Sequence, residues 1–161
     1  MAILTESPIL LDPLIDQVRS PDRGGIAIFL GLVRDHHQGK GVLGLDYSAY
    51  GPMAESVTQQ IIDEVAGRGS RVAVAVQHRV GALTIGDIAV AVVAASAHRG
   101  EAFEACRYVI EELKKRVPVW KKEMFVDGTV EWVDPTAGVQ SQESRVESQE
   151  SRARGKGGQN V

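Results

Sequence analysis

IAVAVVAASAHRGEAFEACRYVIEELKKRVP, Ile88 to Pro118, carries the reading of the fold. Its first nine residues, Ile88 to Ser96, are apolar or small without a polar alternation, the pattern of a strand covered on both faces. Past Ser96 the period changes. Ala102, Phe103, Cys106, Val109, Ile110, Leu113 and Val117 are read as one helical stripe, and Pro118 ends the helix by disfavouring helical geometry at the preceding residue. A buried strand that feeds an amphipathic helix calls for a sheet with helices packed on it.

Working outward, GGIAIFLGLVR from Gly24 to Arg34 is a second Gly-bounded apolar run, expected as another strand covered on both faces, and the polar stretch DHHQGKG after it reads as a loop. Val42 to Tyr50 is a strand candidate. Pro52 then opens a helix in which Met53, Val57, Ile61 and Val65 recur every four residues until Gly67 and Gly69 stop it. Arg71 to Arg79 alternates Val72, Val74 and Val76 with smaller or polar residues, as a half-buried strand does, and Thr84 to Asp87 forms a turn. Trp120 to Val126 and Thr129 to Val133 flank Asp127-Gly128, a pair favoured in type I′ hairpin turns. Near the start, Asp12 as N-cap and Pro13 at N1 predict a short helix to about Arg19. The expected class is α+β.

The 161 residues carry 18 Lys+Arg against 21 Asp+Glu, a net charge of -3, and 43% are hydrophobic, which suits one domain. No apolar run approaches the ~18 residues of a membrane span. The start MAILTESP lacks the basic region of a signal peptide, so a cytoplasmic protein is expected. A single cysteine, Cys106, excludes an internal disulfide framework and a Cys-rich zinc site; in mid-stripe it reads as a small core residue. From Thr136 the chain reads TAGVQSQESRVESQESRARGKGGQNV, with SQESR at Ser141 to Arg145 and again at Ser148 to Arg152 and no aromatic residue. Such a stretch cannot bury enough surface to offset its ordering entropy. The expected organisation is a folded domain over 1–135 and a disordered low-complexity tail over 136–161.

The strongest local charge signal is LKKRVPVWKK, Leu113 to Lys122, with five cations and no acidic residue inside an acidic chain. At ~100° per residue Lys114 falls on the edge of the apolar stripe and Lys115 points away from it, so Lys114 is the better candidate for a partly buried amine able to act as base or nucleophile. A solvated helix end whose lysines face the C-terminal dipole accounts for the same residues. Ser96-Ala97-His98-Arg99, where strand gives way to helix, offers backbone N–H groups, an imidazole and a guanidinium to an anion, or else is an ordinary helix start. Arg34 closes the other apolar run and enters a loop with His36, His37 and Lys40. The histidines His36, His37, His78 and His98 lack metal-site spacing, and the glycines match neither phosphate-loop nor dinucleotide patterns.

Five stretches in order resemble the large, catalytic subunit of molybdopterin synthase, the MoaE family: FLGLVRDHHQG (29–39), YGPMAE (50–55), HRVGALTIGD (78–87), SAHRGEAFEA (96–105) and ELKKRVPVWKKE (112–123). The resemblance covers about Gly24 to Asp134. It implies an α/β-hammerhead fold with a mixed sheet, amphipathic helices and a C-terminal hairpin, and a homodimer within a heterotetramer that carries a small ubiquitin-like sulfur-carrier subunit at each end. It also implies the reaction, in which the carrier's C-terminal Gly-Gly thiocarboxylate donates sulfur to cyclic pyranopterin monophosphate, two transfers making the dithiolene of molybdopterin, with no metal or redox cofactor. Carried over residue by residue, Lys114 and Lys121 are the catalytic pair, and Arg34, His98 and Arg99 bind substrate, the last two across the dimer interface. Phe29 and Trp120 are either pocket walls or core. The competing class is a nucleic-acid-binding module in which Leu113 to Lys122 holds phosphates and Trp120 stacks on a base. Under the synthase reading neither nucleic acid nor membrane is a partner.

Overall fold

The computed structural model of the chain describes residues 2–67 and 71–133, so the expected boundary at 135 and the tail over 136–161 lie outside the described residues. In chain order come β1 (Leu4–Thr5), α1 (Leu11–Val18), β2 (Gly25–Leu32), β3 (His36–His37), β4 (Lys40–Ala49), α2 (Gly51–Ala66), β5 (Ala73–Arg79), β6 (Gly81–Thr84), β7 (Ile88–Ser96), α3 (Arg99–Arg116), β8 (Val119–Phe125) and β9 (Val130–Val133). They form two sheets. One has the order β1-β5-β7-β2, parallel at β1–β5 and antiparallel elsewhere; the other has the order β3-β4-β8-β9, with β6 also paired to β4. The α+β class, with its mixed sheet, helices and C-terminal hairpin, is as expected.

β7 lies between β5 and β2 and explains its own sequence. Ala91, Val93 and Ala95 pack with Leu14 and Val18 of α1, while Val90, Val92 and Ala94 join Ile61 and Val65 of α2 and Val109 and Ile110 of α3. Both faces are covered, so no alternation is needed. β2 has a similar composition but is an edge strand: Ile26, Ile28 and Leu32 are 41%, 43% and 54% exposed, against the expectation of two covered faces. The layer formed by α1 covers β5 and β7 and does not extend over Ile26, Ile28 and Leu32 of β2.

Both long helices are rotated slightly from the stripes read in the sequence. In α2 the buried face is Ala54, Thr58, Ile61 and Val65, and Met53, expected in the core, is exposed; in α3 Phe103 is exposed while Ala105 takes a place in the core. At 100° per residue the centres of the read and buried faces differ by about 50° in α2 and about 30° in α3, and Ile61 and Val65 in α2 and Cys106, Val109, Ile110 and Leu113 in α3 belong to both. Accordingly Ile61→Ala should cost about 2–5 kcal/mol and Met53→Ala no more than about 0.5 kcal/mol in urea unfolding; equal costs would mean that the stripe had been placed on the wrong face. α1 begins at Leu11, capped by Leu10 without a side-chain bond, so Asp12 sits in the first turn rather than at the N-cap.

The second sheet corrects two turns. DHHQGKG is a tight hairpin, not a loop: His36 pairs with Gly41 and His37 with Lys40, with Gln38 at φ 50° and Gly39 at φ 81°. Positive φ at both central residues is the type I′ signature. Asp127-Gly128 has it only at Gly128 (φ 82°), and the Phe125 N–H donates to the Thr129 carbonyl, which makes a three-residue loop with a bulge glycine. β1 and β6 carry too little pattern to be read in advance. No helix among the described residues is long and apolar enough to cross a membrane.

Candidate active site

Three elements converge on one cleft. The register of β2 on β7 shifts between Gly31 and Leu32, Leu32 pairing with Ile88, and the chain then enters the Arg34 segment. That segment is clamped by its backbone, because the Val33 N–H donates to Asp87, its carbonyl accepts from Gly86, and the Asp35 carbonyl accepts from Val42. β4 and β8 run antiparallel with Tyr47 opposite Lys121 and Leu45 opposite Glu123. The last turns of α3 bring Lys114 to the same place. The result is a cavity of about 330 Å³ lined by Arg34, His36, Tyr47, Lys114, Lys121 and Glu123 among others. That volume is at the small end for ligand sites.

Lys114, Lys121 and Arg34 are therefore brought together, as expected. Lys114 itself is exposed in the isolated chain rather than partly buried, because its edge of the helix overhangs the cavity instead of the core. His98 and Arg99 do not join them. They cap and open α3, and 16 residues of helical rise, about 24 Å, separate His98 from Lys114. The first turn of α3 also holds Glu101, whose carboxylate accepts from the buried Ser96 hydroxyl, so the helix start is not a simple anion site. Gly24 belongs to this corner for a packing reason: a Cβ there would lie 2.8 Å from the Ala97 carbonyl oxygen. Phe29 packs against the core and Trp120 is exposed; neither lines the cavity.

Sequence reading missed Glu123, His37 and Tyr47. Glu123 is 2% exposed, its Oε1 accepting from Lys121 Nζ at 2.8 Å and its Oε2 bonded to His37 Nδ1. Burial pushes this carboxyl up, but the hydrogen bonds and charges of Lys121 and His37 outweigh it and hold it below its ordinary value. A carboxyl depressed in the folded state contributes stability above its unfolded pKa and loses it as pH falls through the folded one. Stability should thus decline below pH 4.5, the ordinary value, and less steeply in Glu123→Gln; identical acid unfolding profiles would contradict this. The signal for Glu123 was present in WKKE, since Lys121 and Glu123 share a strand face at i, i+2.

Tyr47 is raised by burial and by the charge of Glu123, with Arg34 opposing, and so keeps its phenolic proton as a donor. Beneath it, His78 meets its ring edge-on at 5.2 Å. Burial lowers His78, whose Nδ1–H donates to the Arg79 carbonyl, so this imidazole is neutral. Tyr47, Lys114 and Val90 also line a second cavity of about 100 Å³, otherwise walled by apolar residues such as Ile110 and Leu113. Lys114 thus stands where a cationic cleft meets a narrow apolar one.

The same chain can be placed among known proteins. A family model described as MoaE protein matches residues 4–116. The molybdopterin synthase catalytic subunit 1 of Mycobacterium tuberculosis is 47% identical over 130 residues, 81% of this chain and 88% of that protein. The crystal structure of molybdopterin synthase from Staphylococcus aureus superposes with a TM-score of 0.78 at 35% identity, covering 82% of this chain and 96% of the other. A protein–protein complex of subunits 1 and 2 of the molybdopterin-converting factor from Helicobacter pylori gives a TM-score of 0.65 over 77% of this chain and 84% of that one; at 20% identity the likeness is one of fold.

Proposed function

The chain belongs to the MoaE protein family, and on that premise we propose that it is the large, catalytic subunit of molybdopterin synthase, which moves sulfur from a thiocarboxylated carrier subunit to cyclic pyranopterin monophosphate. The observation that carries this reading is the cleft in which Arg34, Lys114 and Lys121 gather although the chain is acidic overall. A phosphorylated pterin brings an anion that a guanidinium and ammonium groups bind well. Sulfur transfer then builds negative charge on sulfur and on the acyl oxygen, and fixed cations in a partly dehydrated cleft stabilise it.

In this reading Lys114 is the general acid/base or covalent participant and Lys121 its electrostatic partner, while Arg34 holds the phosphate. The narrow apolar cavity shared with Lys114 suits a terminus without side chains, such as the carrier's Gly-Gly, which would reach the amine with its thiocarboxylate foremost. His98 and Arg99 complete the site from a second copy, in a homodimer within a heterotetramer that works in the cytoplasm.

The nucleic-acid alternative has little support in the geometry of Leu113 to Lys122. Lys121 faces the cleft and Glu123, whereas Lys122 lies on the other face of β8, 5.9 Å over the Trp132 ring, and Lys115 approaches Glu112 on α3. These cations diverge and present no continuous phosphate track. The test is to incubate the purified protein with precursor and carrier in two forms. Dithiolene product is expected with the thiocarboxylate and none with the plain carboxylate; no product with either would defeat the reading.

A further inference from the structure

Glu123 has two carboxylate oxygens, buried beneath the cleft, and each has one side-chain partner: Lys121 on the same strand and His37, 86 residues away in sequence. An ionised carboxylate only accepts, so the proton lies on His37 Nδ1 and the imidazole donates. His37 itself is largely covered, its side chain 23% exposed. The hairpin that carries it uses a strained device, since Gln38 is the sole non-glycine residue with positive φ among the described residues. That turn lays β3 back along β4, next to β8, and sets His37 against Glu123.

We propose that His37 is a positioning residue for Lys121, acting through Glu123 by occupying one carboxylate oxygen so that the other holds the ammonium at the cleft wall. This rests on the synthase reading and extends it to a residue outside the cationic set. Without a donor at His37, a buried oxygen loses its partner, which is costly, and the neighbouring Lys121 ammonium is the available replacement. Drawn across both oxygens, Lys121 would leave the position in which it serves the reaction. Asp35 and His36, paired with each other at 2.6 Å, and Lys40, paired with Glu131 at 2.6 Å, have their own partners and do not take His37's place.

The experiment compares His37→Leu with His37→Asn, whose amide nitrogen superposes on Nδ1 and can donate to the same oxygen. Both are assayed with thiocarboxylated carrier and precursor well below the melting temperature of each variant. His37→Leu should lower kcat about tenfold with both KM values within about twofold of wild type. His37→Asn should keep at least about half of kcat, and adding His37→Leu to Glu123→Gln should cost nothing further. Unchanged kcat in His37→Leu, equal losses in both variants, or multiplying effects with Glu123→Gln would overturn the proposal. An inactive wild-type protein would instead defeat the synthase reading, so the two failures are distinguishable.

Discussion

Lys114→Ala lowers the rate of dithiolene formation by about 100- to 10,000-fold while leaving circular dichroism and sizing profiles unchanged. The magnitude is that of losing a positioned acid/base or nucleophilic group. The intact fold follows from the exposure of Lys114, whose side chain borders two cavities and fills neither core. Lys115→Ala is the control. Its ammonium makes only a 3.6 Å approach to Glu112 on the helix surface, a contact worth at most about 1 kcal/mol, so turnover should stay within about twofold of wild type. An unfolded Lys114 variant would make this residue structural, and equal losses at both lysines would mean that only bulk charge matters.

Mixing Arg99→Ala and Lys114→Ala proteins, each inactive alone, restores activity under subunit exchange. The reason is geometric. Arg99 opens α3 and Lys114 lies near its other end, so one small substrate cannot touch both within a chain. Two-fold pairing of antiparallel α3 helices would place the Arg99 end of one copy beside the Lys114 end of the other and form two equivalent composite sites. Random exchange yields half mixed dimers, each with one site intact, so recovery should approach about a quarter of wild type. Absence of recovery despite exchange verified by mass spectrometry would confine the site to one chain and remove Arg99 from it.

The parts of the fold that could be read in advance are those where two signals agree. β7 and α3 combine an unbroken apolar run, a change of period and a terminating proline, and their bounds were legible to within a few residues. β2 has the same apolar run without the same burial, because composition does not say how far the neighbouring helix extends over a sheet. Met53 and Phe103 mark a similar limit: a stripe read from spacing is uncertain by about 30–50° of rotation, and the largest side chain is not always the one that fits. The β3–β4 hairpin was hidden because Gln is an unusual residue at positive φ, and its polar neighbours resemble a loop.

For the site, charge clustering and the family motifs pointed to Lys114, Lys121 and Arg34. Tyr47 depends on the β4–β8 register, and the His37–Glu123 contact joins residues 86 positions apart, so neither has a local signature. The separation of His98 and Arg99 from the lysines was legible as helix length, and the structure retains it.

Sulfur stoichiometry tests the central claim most directly. Purified protein is mixed with a limiting amount of thiocarboxylated carrier and excess cyclic pyranopterin monophosphate, and both the carrier's terminus and the product are quantified. Two thiocarboxylates should be converted to carboxylates for every dithiolene formed, with Lys114→Ala abolishing both changes together. Carrier converted with no dithiolene appearing, or no conversion at all by folded protein, would contradict sulfur transfer at this cleft.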